Sequence, residues 1–231
     1  MSHGHLAFLI VAASLLILDI RAQRWYTRGV RGAMESTAES SWIPDWLNPN
    51  YLTVSGVAMC IVTAPLAYFK HADSGWVILG IALFLVGSLL DVLDGSVARQ
   101  LGKTTPFGKF LDSNTDRMGE CAVFIALGML LYQQRNAGGV LAAFLAIVGS
   151  FLVSYARATT ELAQVKATVK KKTDFGLARR AERCTAIIAI LLWMAIGWSW
   201  TPWLYLITAL VWLTVAQRWI EAYGINGKSA E

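Results

Sequence analysis

Four aspartates stand close together in the middle of an otherwise apolar chain. Two belong to the run Asp-Val-Leu-Asp-Gly-Ser-Val-Ala-Arg, and two follow shortly after it; the four are Asp91, Asp94, Asp112 and Asp116. A carboxylate near the centre of a membrane costs roughly 2.5–3.5 kcal/mol on insertion scales. Four carboxylates kept together in such a setting need a compensating charge, and a divalent cation would supply it. We therefore expect this cluster to be the functional site.

The side chains of the cluster indicate which ions it would bind. All four offer carboxylate oxygens, and no histidine or cysteine stands among residues 91–116. Donor sets of this kind favour Mg²⁺, Mn²⁺ or Ca²⁺ over zinc or copper. Four carboxylates exceed what one Mg²⁺ usually takes, and two ions about 3.5–4 Å apart are the familiar alternative, because such a pair clamps a diphosphate. We predict Mg²⁺ or Mn²⁺ as the cofactor, with two ions bound.

Helical spacing arranges these residues in two stripes, one on each of two neighbouring helices. The connection between the helices, residues 99–107, contains Gly102 and Pro106 and turns the chain back sharply, so that both stripes can meet. Small residues within the stripes leave room for a flat base or a phosphate to approach the backbone. The first stripe comprises Asp91, Asp94, Gly95 and Ala98, and the second comprises Gly108, Asp112 and Asp116.

The composition indicates that the helices carrying these stripes cross a membrane. The 231 residues are 56% hydrophobic and only 15% charged, which is typical of a polytopic membrane protein. About 20 apolar residues span the hydrocarbon core of a bilayer. The sequence therefore predicts an all-α integral membrane protein with a bundle of six transmembrane helices. The predicted spans are residues 51–69, 76–98, 110–132, 138–156, 184–200 and 203–220.

The net charge of +5 follows the topology of the chain and does not indicate nucleic-acid binding. Basic residues cluster before the first span, between the second and third, and between the fourth and fifth, whereas the opposite loops hold only Lys70 and Arg135. By the positive-inside rule, the aspartate ends and the C-terminus face the cytoplasm. We expect a multi-pass protein of the cell membrane, with lipids as partners and no nucleic acid.

The N-terminal part, residues 1–47, precedes the predicted six-helix domain of residues 48–231. Residues 6–18 form an apolar run of thirteen, which is short for a span and is not preceded by the basic segment of a secretory signal. Two placements fit this run, an interfacial position and a short inserted helix. Residues 20–40 mix arginine, aromatic and glutamate side chains, a pattern typical of a juxtamembrane amphipathic helix.

The full spacing of the acidic region resembles the signature of the CDP-alcohol phosphotransferase family. Residues 91–116 read Asp-x2-Asp-Gly-x2-Ala-Arg-x8-Gly-x3-Asp-x3-Asp, and every position of the signature is met. The six predicted spans and the run Asn-Pro-Asn-Tyr-Leu-Thr at 48–53 extend the likeness over most of the chain after residue 40. The resemblance implies an enzyme that transfers a phosphatidyl-type group from a CDP-linked lipid to an alcohol and releases CMP. It also implies a homodimer.

The resemblance also implies a role for each position of the signature. The four aspartates would hold two metal ions, and Asp116 would in addition deprotonate the incoming hydroxyl. Such a base is needed because an alcohol is a poor nucleophile at neutral pH. The residues implied to border the cytidine nucleotide are Asp94, Gly95, Ala98, Arg99 and Gly108.

Residues outside the signature must select the alcohol. Basic residues stand at the cytoplasmic ends of the last three predicted spans, where single ones fit as snorkelling anchors and several together would form a phosphate pocket. This arrangement resembles the branch that makes phosphatidylinositol phosphate or its archaeal ether-lipid equivalent, although Thr159 replaces an arginine of that branch. We therefore predict inositol phosphate as the acceptor, with glycerol phosphate as the alternative. The predicted acceptor-phosphate residues are Ser154, Arg157, Arg180, Arg183 and Arg218.

Two other classes of membrane protein would also use acidic residues. An intramembrane prenyltransferase binds a diphosphate through aspartates and Mg²⁺, but it would need a second acidic motif, and the spans after Asp116 hold no such pair. A cation transporter would place its acids near the middle of the membrane. The aspartates here cluster toward one face, which favours the transferase.

Overall fold

The computed structural model describes residues 48–166 and 176–226, which form six helices and no strand. The predicted juxtamembrane helix and the apolar run of residues 6–18 lie outside these ranges. The described part is therefore all-helical, as the sequence predicts. The helices are α1 (Pro49–Phe69), α2 (Ser74–Gln100), α3 (Pro106–Gln133), α4 (Ala137–Lys166), α5 (Arg180–Ala195) and α6 (Thr201–Asn226).

The first three helices begin at residues that cap them. The side chains of Asn48, Asp73 and Thr105 each accept a hydrogen bond from a backbone N–H two or three residues further on. Proline follows directly at the start of α1 and α3, where its fixed φ and missing N–H cost nothing. The cap at Thr105 fixes where α3 begins, with Asp112 and Asp116 in the first half of that helix.

Four of the six helices have the length and hydropathy of a membrane span, so the chain is a multi-pass membrane protein. They are Pro49–Phe69, Ser74–Gln100, Ala137–Leu162 and Thr201–Tyr223. Large apolar side chains on their outer faces, such as Ile78, Phe144 and Leu213, are exposed, and lipid would cover them.

The other two helices depart from the predicted spans in ways that follow from their sequences. In α3, four charged side chains in the first half lower the hydropathy of the predicted third span. The fifth predicted span (184–200) extends beyond α5, which ends at Ala195. α5 has 16 residues, about 24 Å of helix, which is short for a bilayer core. The count of six spans therefore stays a prediction.

Helices α1, α2 and α3 approach one another closely because small residues stand at their contacts. A Cβ added to Gly87 of α2 would lie 2.5 Å from the carbonyl oxygen of Gly56 in α1. A Cβ added to Gly119 of α3 would lie 2.8 Å from Cβ of Cys60. The backbones therefore nearly touch, and this close packing brings the acidic end of α2 against the start of α3.

The start of α5 is held by a hydroxyl in α6. Thr214 Oγ1 accepts hydrogen bonds from the N–H groups of Leu177 and Ala178, at 3.1 and 2.9 Å. It donates in turn to the carbonyl of Leu210 at 2.8 Å. Because α5 also packs against α2 and α3, this anchor places the arginines of its first turn beside the acidic residues.

Candidate functional site

Three of the four aspartates converge where α2 and α3 pack together. One carboxylate oxygen from each of Asp91, Asp112 and Asp116 lies within 4.8 Å of the other two. Asp91 is buried and the other two are half-buried. The four-residue step between Asp112 and Asp116 puts both on one stripe of α3, as helical periodicity predicts. Three hard oxygen donors at this separation suit Mg²⁺ or Mn²⁺.

Asp94 lies one turn further along α2 and has a different neighbour. Its carboxylate accepts a hydrogen bond from the hydroxyl of Thr53 in α1, and both side chains are buried. It is not part of the group of three described above. Asp94 and Asp112 both line one cavity, so Asp112 belongs to the converging carboxylates and to the lining of this cavity.

This cavity has a volume of about 500 Å³ and lies between the start of α1, the end of α2 and the start of α3. The size falls within the range of about 300–1,000 Å³ that is typical of small-molecule sites. Its lining includes every residue predicted to border the nucleotide, together with Asp112 and the basic side chains of Lys103 and Lys109. The structure therefore brings together Asp94, Gly95, Ala98, Arg99 and Gly108.

Arg180 of α5 supplies the positive charge inside the acidic cluster. Its Nη1 donates to Asp91 Oδ2, and its Nη2 lies 2.5 Å from Asp116 Oδ1. The guanidinium thus bridges α2 and α3 and balances part of the charge of the converging carboxylates. Of the predicted acceptor residues, Arg180 is the one that the described contacts place against the aspartates.

Three other predicted acceptor residues have contacts away from the aspartates, each with a different partner. Arg157 is exposed on α4 and pairs with Glu161 at 2.8 Å. Arg218 is buried and donates to the carbonyl of Val153 at 2.8 Å. The hydroxyl of Ser154 accepts two hydrogen bonds from Arg117. Their roles toward an acceptor stay predictions.

Arg183 forms a buried ion pair one helical turn beyond Arg180. Its Nε and Nη2 donate to the two carboxylate oxygens of Glu120 at 2.7 and 3.1 Å, and its Nη1 donates to the carbonyl of Ala178 at 3.0 Å. Arg183 is 1% exposed and Glu120 is 2% exposed. Since Glu120 stands one turn after Asp116 on α3, two ion pairs in successive turns join α5 to α3. The described contacts of Arg183 therefore join two helices, and its role toward an acceptor phosphate stays a prediction.

Replacing Arg183 by methionine is expected to destabilise the protein by about 3–5 kcal/mol, because Glu120 would keep a buried charge without its partner. Thermal unfolding in detergent would measure the loss. The double variant Glu120→Gln/Arg183→Met should recover much of it, since neither position then carries a charge. An unchanged midpoint for Arg183→Met, together with a raised KM for a phosphorylated acceptor, would contradict this structural role.

Some residues of the site were not predicted from the sequence. Thr53 bonds Asp94, Arg117 bonds Asp116, and Glu120 accepts from Arg183 one turn after Asp116. The sequence did hold one signal, because Arg117 and Glu120 are charged side chains within an apolar predicted span, where charge marks a function or a buried pair. Thr53 is the last residue of the run 48–53 that extends the family resemblance, but no role in the site was predicted for it.

Known proteins are similar to this chain in sequence. A family model described as CDP-alcohol phosphatidyltransferase matches residues 46–220. Archaetidylinositol phosphate synthase from Pyrococcus horikoshii is 34% identical over 178 residues, covering 76% of this chain and 84% of the relative. Phosphatidylinositol phosphate synthase from Mycobacteroides abscessus is 31% identical over 176 residues, covering 74% of each chain.

Solved structures show the same fold. The crystal structure of Mycobacterium tuberculosis phosphatidylinositol phosphate synthase with CDP-DAG bound matches with a TM-score of 0.66 at 22% identity. The match covers 82% of this chain and 93% of that one. The complex of the same enzyme with manganese and citrate matches with a TM-score of 0.63 at 25% identity, covering 77% and 83%.

Proposed function

The chain belongs to the CDP-alcohol phosphatidyltransferase family, and we propose that it transfers the phosphatidyl-type group of a CDP-linked lipid to a hydroxyl of inositol phosphate. The family membership confirms the resemblance found in residues 91–116. One observation carries the proposal most strongly: the acidic cluster, with an arginine inside it, adjoins a cavity lined by the nucleotide residues of the signature. The acceptor rests on the relatives named archaetidylinositol phosphate synthase and phosphatidylinositol phosphate synthase.

The cofactor of the enzyme is a divalent cation, Mg²⁺ or Mn²⁺. The carboxylates of Asp91, Asp112 and Asp116 converge as hard oxygen donors, and the enzyme solved with manganese is a 25% identical neighbour. We propose that Asp94 completes the ligand set for two ions. Bound there, the ions would neutralise charge on the diphosphate and on the departing CMP.

The chain's own residues divide the remaining work of the reaction. The cavity between α1, α2 and α3 binds the cytidine diphosphate, where Lys103, Lys109 and Arg99 offer positive charge to the phosphates. Asp116 takes the proton of the acceptor hydroxyl, whose oxygen forms a bond to the lipid-linked phosphorus. The bond between that phosphorus and the bridging oxygen breaks, and CMP leaves with the bridging oxygen.

We propose that Arg180 holds the phosphate of the acceptor near this base. Its guanidinium already contacts Asp91 and Asp116, so an acceptor phosphate bound by Arg180 would bring its hydroxyls to the reacting phosphorus. Among the predicted acceptor residues, Arg157 is exposed on α4, where it pairs with Glu161 at 2.8 Å. We propose these two as the primary acceptor contacts.

The variant Arg180→Met is expected to raise the KM for a phosphorylated acceptor by about 10- to 100-fold, the range of one or two charge-assisted hydrogen bonds. The KM for the CDP-lipid should change much less, since its nucleotide is proposed to bind in the cavity between α1, α2 and α3, which Arg180 does not line. Steady-state CMP release at varied acceptor and donor would separate the two constants. The matched control is Arg179→Met, which removes the same charge one residue away, where the partner is Glu182. Equal changes in both KM values would count against this role.

The finer features of topology and assembly follow from the same proposal. We propose six spans within one membrane domain of residues 48–231, with the acidic end of α2 and the start of α3 at the cytoplasmic face. The basic loops on that side support this orientation. A water-soluble acceptor and an amphiphilic donor would meet there at the interface. We also propose a homodimer, as the family resemblance implies.

The proposed function is tested by incubating the purified protein with a CDP-lipid, Mg²⁺ and one acceptor at a time. The panel comprises inositol phosphate, glycerol 3-phosphate, free inositol and serine, and each is offered with an ester-linked and an ether-linked donor. We expect CMP release with inositol phosphate to exceed that with every other acceptor. Preference for glycerol 3-phosphate would reassign the acceptor, and no release with any alcohol would reject the proposed reaction.

A further inference from the structure

Arg117 of α3, the residue directly after Asp116, connects the proposed base to α4. Its Nη1 donates to Asp116 Oδ2 at 3.0 Å and to the carbonyl of Ser113 at 2.9 Å. Its Nε and Nη2 donate to the hydroxyl oxygen of Ser154 in α4, at 2.9 and 2.7 Å. One guanidinium therefore contacts the base, its own helix and the neighbouring helix at the same time.

Helix geometry alone does not bring the side chains of Arg117 and Asp116 into contact. Adjacent residues on a helix point in directions about 100° apart and do not face each other. The guanidinium reaches Asp116 Oδ2 because its two other nitrogens are bound to Ser154, so the side chain folds back across α3. The tether to α4 accounts for the contact with the base.

These contacts use every hydrogen-bonding position of the Ser154 hydroxyl. A serine hydroxyl has one proton to donate and two lone pairs to accept with. Ser154 donates to the carbonyl of Ser150 at 3.2 Å, and its oxygen accepts both bonds from Arg117. A ligand phosphate would have to displace Arg117 in order to bind this hydroxyl.

The two oxygens of Asp116 consequently have different neighbours. Oδ2 is held by Arg117, whereas Oδ1 lies 2.5 Å from Nη2 of Arg180, the residue to which the proposed function assigns the acceptor phosphate. Arg117 thus fixes the plane of the carboxylate, with Oδ1 on the side of Arg180.

We propose that Arg117 is a positioning residue for the transfer reaction, and that Ser154 acts through Arg117 by anchoring its guanidinium. The inference rests on the proposed function, since Asp116 must be the base for its orientation to matter. It also gives Ser154 a role other than the direct contact with the acceptor phosphate predicted from the sequence. A carboxylate free to rotate would present the wrong oxygen or the wrong angle to the acceptor hydroxyl.

A double-mutant cycle on Arg117 and Ser154 tests this inference, with kcat and both KM values measured for the best acceptor of the panel. Arg117→Met should lower kcat by about 100-fold, the scale expected for a misplaced catalytic group, with unchanged KM for donor and acceptor. Ser154→Ala should lower kcat by about 10-fold, because one anchor of a charged group is lost. Ser154→Ala should have no further effect once Arg117 is methionine.

A conservative variant separates positioning from simple loss of folding. Arg117→Lys keeps the charge but reaches only one of the two partners, so its kcat should lie between wild type and Arg117→Met. Thermal unfolding of each variant reports whether it is folded, and Ser154→Ala with Arg117→Lys suffices for the test if Arg117→Met does not fold.

Three results would overturn the inference. They are an unchanged kcat in Arg117→Met, fully additive losses in the double variant, and a raised acceptor KM in Ser154→Ala that persists when Arg117 is methionine. The last would show direct contact between Ser154 and the acceptor. Absence of CMP release from the wild type would instead reject the proposed function, so the two failures are distinguishable.

Discussion

The variant Asp116→Asn is expected to lower kcat for CMP release by at least about 10³-fold, within the range that a general base contributes. An amide cannot take the proton of the acceptor hydroxyl. The change also removes one of the three converging carboxylates. Steady-state assays with saturating CDP-lipid and inositol phosphate would measure the loss.

The matched control for this variant is Asp73→Asn at the other end of α2. Asp73 caps α2 by accepting from the N–H of Gly75 at 2.9 Å, and asparagine caps a helix equally well. The same carboxylate-to-amide change should therefore leave the activity near that of the wild type. Substantial CMP release by folded Asp116→Asn would contradict the assignment of the base.

Removal of divalent cations is expected to have an effect of similar size, a loss of at least about 10³-fold in CMP release. Stabilisation of the diphosphate charge by a metal is worth several kcal/mol, and each 1.36 kcal/mol corresponds to about tenfold in rate. The measurement compares activity in a chelator with activity after Mg²⁺ or Mn²⁺ is restored. Chelator already saturated with Mg²⁺ is the control for other effects of the chelator.

The fold should survive this treatment, because Arg180 balances Asp91 and Asp116 without any ion. Circular dichroism of the chelated protein should therefore match that of the untreated protein, and activity should return on addition of the metal. Full activity in the chelator would exclude the metal role, and irreversible loss of helix would contradict the balance of charge assigned to Arg180.

The acidic stripes could be predicted from the sequence because their geometry is local. Within one helix, spacings of three and four residues fix which side chains share a face, and the prediction for Asp112 and Asp116 follows from this rule alone. The meeting of the two stripes was predicted from the short connection between α2 and α3, whereas the set from Asp94 to Gly108 that lines the cavity was named from the family resemblance.

The contacts between helices could not be predicted in the same way. Asp91 and Asp94 are equivalent in the sequence pattern, yet Asp91 joins the converging carboxylates while Asp94 bonds Thr53. That difference depends on how far α1 and α2 approach, which is set by the close contact at Gly56 and Gly87. The spacing of residues in the sequence does not determine the distance between α1 and α2.

The partners of the two arginines at the start of α5 could likewise not be predicted from the sequence. Arg180 and Arg183 stand one turn apart in a basic run, and both were predicted to bind the acceptor phosphate. The structure places Arg180 on Asp116 and buries Arg183 on Glu120, because α5 crosses α3 at successive turns. Which arginine reaches the site depends on this crossing, whereas the sequence shows only that both are basic.

Transfer of the phosphatidyl-type group to inositol phosphate is tested by following the acceptor atoms into the lipid product. Inositol phosphate labelled with deuterium on its ring carbons is incubated with the purified enzyme, a CDP-lipid and Mg²⁺, and the lipid is analysed by mass spectrometry. We expect a lipid that contains the labelled ring and two phosphorus atoms, formed in a one-to-one ratio with CMP. CMP released without labelled lipid, or a labelled lipid with a single phosphorus, would contradict it.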